Sequence, residues 1–154
     1  MINLRRHKRE GGQALVEFLL TIVFVFLVIV AFLELIMMMY TYNVLADSAK
    51  EGVRYAIVHG TGSTLCSGPG TTVSVPPITC PDAAGDNVVT AVNDYAKYSL
   101  HDTSAMTVTP TYMDSSSAAP NRIRVTVSYP YQPFFGLGWP TITVNAAAQG
   151  RIMF

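Results

Sequence analysis

From Phe18 to Leu33 the chain reads FLLTIVFVFLVIVAFL, sixteen residues without a charge, and LIMMMY (Leu35 to Tyr40) extends the run past a single interruption at Glu34. A helix rises about 1.5 Å per residue and the hydrocarbon core of a bilayer is roughly 30 Å thick, so Leu15 to Tyr40 is long enough to cross it. A cleaved secretory signal peptide is the competing reading. Its apolar region runs only about 7–15 residues before a small-residue cleavage site. Here the nearest such site, around Ala46 to Ala49, falls inside what reads as continuing helix. A membrane anchor fits the run better.

The flanking charges orient that anchor. Arg5, Arg6, Lys8 and Arg9 stand against Glu10, a net of +3, so in a chain of zero formal charge the remainder carries −3. Short basic flanks stay cytoplasmic. Residues 1–12 are therefore expected to be a basic leader in the cytoplasm, 13–42 a transmembrane helix, and 43–154 an extracytoplasmic domain. No basic patch survives beyond the leader, which argues against nucleic acid as a partner.

Past the membrane the helical pattern continues over 43–59. Leu45, Ala49, Val53 and Ala56 recur every three or four residues, Asp47, Lys50, Glu51 and Arg54 fill the other face, and Gly60 and Gly62 end it. The stretch 60–85 is rich in Gly, Pro, Ser and Thr and reads as a loop holding both cysteines, Cys66 and Cys80. A metal pair or two free thiols are alternatives to a disulfide. No histidine lies near enough in sequence to complete a zinc motif, and on the oxidising side of a membrane the disulfide is favoured.

A second helix is expected over 86–100, with Val88, Val89, Val92, Tyr95 and Ala96 on its inner side and Asp82 or Asp86 as its cap. Strands then fill 105–154. AMTVTPTY (105–112) and RIRVTVSY (122–129) alternate, joined by a turn over Asp114 to Pro120. In the second, Ile123, Val125 and Val127 share one face. The segment YPYQPFFGLGWP reads as a crossover to a third strand, 141–154, bent at Gly150. The fold class is α+β: a long N-terminal transmembrane helix continuing into a small domain with a second helix and a three-stranded antiparallel sheet.

Little in the chain suggests catalysis. His7, His59 and His101 lie in three separate regions, and no nucleophile, metal-hydrolase or nucleotide-binding motif is present. An enzyme is not expected, nor a cofactor, a metal or a small-molecule substrate. Two acids in the apolar helix stand out, because an ionisable group in a membrane segment is costly and usually functional. Glu17 and Glu34 bracket the charge-free run, and Glu34 is read as structural or reaching an interface.

Residues 9–18, REGGQALVEF, resemble the substrates of prepilin peptidases: a short basic leader, a glycine, then an apolar helix with glutamate at its fifth position. A cut between Gly12 and Gln13 would place Glu17 fifth and Phe18 sixth in the mature chain. It would also free an amine at Gln13 one turn from a carboxylate that needs a positive partner in apolar surroundings. GGQALVEFLL, the later Glu34 and YTYNVLADSAKEGVRYA together resemble the TadE-like family of the Tad (Flp) pilus assembly machinery, over residues 11–56. Val53 departs mildly from the small residue often seen after the Glu-Gly pair.

The resemblance implies a pilin-like domain and the role of a pseudopilin or minor pilin. Its implied partners are the lipid bilayer, other pilus-assembly subunits and a prepilin peptidase. Its implied location is the cytoplasmic (inner) membrane, with release into a pilus after processing. The alternative is a membrane-anchored extracytoplasmic binding module that is neither processed nor assembled into a filament.

Overall fold

A computed structural model describes residues 7–70, 79–136 and 140–153. One helix dominates it: α1, His7–Val58, 52 residues long. The leader and the span are not separate elements, because helix starts within the leader at His7 and runs unbroken into the domain. Its two halves differ in what covers them. Below Val30 the described side chains stand exposed on every face, Phe18 at 64% and Phe24 at 67% among them. Above it one stripe is covered: Val30, Glu34, Thr41, Leu45, Ala49, Val53 and Ala56 are all buried. The opposite face stays wet, with Lys50 and Arg54 each paired to an acid one turn back, Asp47 at 2.9 Å and Glu51 at 2.8 Å.

The stripe is covered by a second helix and an antiparallel sheet. Helix α2 is Asp86–Ala96, and the strands β1 (Thr107–Tyr112), β2 (Arg122–Tyr131) and β3 (Ile142–Arg151) form a sheet in the order β1-β2-β3. This is the α+β class read from the sequence. Val88, Val92 and Ala96 of α2, Ile123, Val125 and Val127 of β2, and Val144 and Ala146 of β3 close on the α1 stripe as one core.

Two glycines set how closely these layers approach. A Cβ at Gly52 would stand 2.4 Å from Val92 Cγ2, so α2 lies against bare α1 backbone there. A Cβ at Gly150 would stand 2.6 Å from Val53 Cγ1, so there the α1 side chain lies against bare β3 backbone. Gly150, read as a bend, pairs in register with Ile123 within β3. Its role is close approach.

Four boundaries differ from the sequence reading. Helix α2 ends at Ala96 and not at Leu100, because the amides of Ser99 and Leu100 both bond the Ala96 carbonyl and turn the chain. Tyr95, expected inside, is 43% exposed. Strand β1 starts at Thr107 and not at Ala105, and β3 ends at Arg151; Phe154 lies outside the described residues. Strand β2 runs through Tyr129, Pro130 and Tyr131, residues read as crossover. Pro130 is tolerated because it pairs only with Thr143 of β3. On its other side Pro130 lies beyond the Thr107–Ser128 pair where β1 begins, so β2 is an edge strand there, a position that accommodates proline.

The ends of the sheet are anchored along α1. At the far end Met153 N–H donates to the Ile57 carbonyl (3.0 Å) and Ile152 N–H to that of Asn121 (2.9 Å). At the near end β2 finishes with Tyr131 against Glu34. The domain thus lies lengthwise along the upper half of α1, and the lower half protrudes alone.

Candidate functional site

The residues singled out from sequence fall in three places. Gly12, Gln13, Glu17 and Phe18 lie near the lower end of α1, Glu34 where the domain begins, and the two cysteines at the far end.

At the lower end the helix passes straight through the Gly12–Gln13 bond. Nothing lies within 4 Å of where a Gly12 Cβ would be. The Gln13 side-chain amide donates to Glu17 Oε1 at 3.0 Å, one turn on, and the Thr21 hydroxyl donates to the Glu17 carbonyl at 2.8 Å. The pairing geometry between position 13 and the carboxylate is therefore already set by the helix, since residues four apart share a face.

Glu34, read as structural or as reaching an interface, stands between helix and domain. It is 5% exposed, covered by the end of β2 and the start of the crossover. Tyr131 O–H donates to Oε1 at 2.6 Å and the Phe134 backbone N–H donates to the same oxygen at 2.9 Å, while Oε2 is buried without a hydrogen bond. Burial, then the neighbouring carboxylate, push the Tyr131 hydroxyl up to about 12, so it remains a donor at any physiological pH. Ala31, Leu35, Met38, Pro133 and Ile142 line the surrounding apolar niche. Glu34 is thus a clasp between stalk and domain. Tyr131 and Phe134 were not expected in any site. Their one sequence signal is that they sit in a long charge-free stretch, Val125 to Gly150, that must close over something apolar.

At the far end Cys66 and Cys80 lie at disulfide distance, Cα atoms 5.2 Å apart, and both are buried. A polar knot surrounds them. The Tyr112 hydroxyl donates to the Ser67 carbonyl (3.0 Å), Ser117 N–H to that of Pro69 (2.8 Å), and Thr61 N–H to that of Ser117 (3.1 Å). Asp82 caps α2 from three residues before its N-cap Gly85, accepting the backbone N–H groups of Gly85, Asp86 and Asn87 at 2.8–3.0 Å. Burial alone would raise its carboxyl. The Ser67 hydroxyl and those three amides outweigh that and hold it below the usual range. The residues 71–78 between the cysteines lie outside the described part.

None of these places assembles the parts of a catalytic centre. What the geometry defines is a membrane-anchor architecture: α1 has the length and apolar character to cross a bilayer, and a small α+β domain is clasped to its upper half. The family model described as TadE-like protein matches residues 12–54, the same part of the chain that carries the resemblance read from sequence. That match covers both halves of α1, from Gly12 through the Glu-Gly pair that receives α2. No curated protein and no solved structure matches the chain.

Proposed function

We propose that this chain is a pseudopilin or minor pilin of a Tad-type pilus assembly system, working by helix packing and without catalysis. The observation that carries the reading is a 52-residue helix, bare below and domain-covered above, with the TadE-like match running across both halves. In this reading the basic leader stays cytoplasmic, the bare half of α1 sits in the cytoplasmic membrane, and the domain stands outside with Cys66 and Cys80 oxidised.

A prepilin-type peptidase cuts between Gly12 and Gln13. The Gly11-Gly12 pair suits that step, because each glycine weakens helix by about 1 kcal/mol relative to alanine and so eases local unwinding at the scissile bond. The freed amine then replaces the Gln13 side-chain amide as the natural partner of Glu17, within the chain or on a neighbouring subunit. A neutralised pair is far cheaper in an apolar bundle than a lone carboxylate.

The test separates insertion from assembly. Glu17→Ala makes the span more apolar, so membrane insertion is expected to be unchanged, while incorporation into pili with the partner subunits is lost. Substitutions of Gly12 that block cleavage should give the same outcome. Normal pili with Glu17→Ala but none with the Gly12 variants would refute the amine–carboxylate pairing. Normal pili with both would refute the pilin role and leave an anchored extracytoplasmic binding module.

A further inference from the structure

We infer that the crossover after β2 is a second membrane contact: Phe134 and Phe135 enter the interface of the same bilayer that α1 crosses, so the domain rests on the membrane surface. The inference rests on the membrane reading of α1 and adds to it.

Helix length places the crossover. From Gln13 to Glu34 α1 rises about 32 Å at 1.5 Å per residue, against a hydrocarbon core of roughly 30 Å. With the basic leader at one border, Glu34 stands at the other, well before the end of the apolar run at Tyr40. The Phe134 N–H bond to Glu34 Oε1, 2.9 Å, pins the crossover at that level.

The exposed side chains there suit the headgroup boundary. Phe134 is 77% exposed and Phe135 40%, their rings edge to face at 5.2 Å, and Ile142 at the start of β3 is 47% exposed. Phe134, Phe135 and Ile142 carry no charge, so bringing these side chains against the membrane desolvates no ion. Amphipathic Trp and Tyr rings are the ones enriched at this depth, and apolar Phe and Leu side chains of interfacial segments also bury themselves at the headgroup–acyl boundary. Glu34, bonded to the Phe134 N–H, is already buried under the domain; beyond it His101 and Asp102 line a cleft with Phe134 and Tyr40, and Tyr40 lies about 9 Å further up the helix. That is within reach of headgroups and water. The charges of the sheet, Arg122 with its partner Asp114, Arg124 and Arg151, gather towards the far end near Ile57, about 35 Å above Glu34.

The test uses tryptophan as a depth probe in the full chain, reconstituted in phosphatidylcholine vesicles. A Trp139→Phe background removes the one native tryptophan. Phe26→Trp, Phe134→Trp and Met113→Trp are then compared, with nitroxide lipids labelled near the headgroup or near the chain end as quenchers. The expected result is that Phe134→Trp is quenched more by the shallow label, Phe26→Trp more by the deep label, and Met113→Trp by neither. Deep quenching at Phe26→Trp with none at Phe134→Trp would overturn the second contact and leave the span intact. Quenching at Met113→Trp equal to that at Phe134→Trp would also overturn it, since the domain would then lie flat. No quenching at Phe26→Trp would remove the span itself and this inference with it.

Discussion

Glu34 shows how far a residue's role depends on chain it cannot see locally. Its donors lie 97 and 100 residues later in sequence, so no local pattern could distinguish a clasp from an acid reaching an interface. The consequence is measurable. Tyr131→Phe removes the shorter of two hydrogen bonds to a buried carboxylate and should cost about 1.5–3 kcal/mol. Glu34→Gln keeps an acceptor toward Tyr131 and Phe134 and should cost less, about 1 kcal/mol. Urea unfolding in detergent micelles measures both. A Glu34 carboxylate not held by the domain would leave Tyr131→Phe without effect. The Gln13–Glu17 side-chain contact, by contrast, needs only helix geometry, which sets residues four apart on one face.

At the scale of elements, periodicity carried most of the information. The Leu45, Ala49, Val53 and Ala56 spacing, and the alternation of Ile123, Val125 and Val127, name residues that are all buried. Ends were harder. The extension of β2 through Pro130 depends on where β1 starts, and the shortening of α2 depends on the tight turn at Ser99 and Leu100. Asp82 was named as one of two possible caps. Its three-amide grip has a pH signature: with its folded pKa lowered below an unfolded value of about 3.9, its contribution is present above that value and lost as pH falls through the lowered one. Asp82→Ala should therefore cost about 1–2 kcal/mol at neutral pH, and much less at a pH below both values. Chemical unfolding across an acid series checks this; a pH-independent cost would refute the cap. Beside it, Cys66 and Cys80 should appear as one linked peptide pair by mass spectrometry without reduction. Reduction should lower stability by about 3 kcal/mol, and two freely alkylated thiols in protein from its native envelope would refute the bond.

For the whole molecule, the division of α1 governs everything else. Its upper half supplies the stripe on which α2 and the sheet condense, and Gly52 and Gly150 let them close. Its lower half buries nothing within the chain and must be covered by lipid or by other helices. A protein built this way acts through what it packs against, and processing at Gly12 would decide whether its partner is only the membrane or also a filament. The most direct measurement is N-terminal sequencing, with intact mass, of the protein purified from its native membranes in the presence of its assembly machinery. The account predicts a chain beginning at Gln13. A chain uncut across the Gly12–Gln13 bond would contradict it.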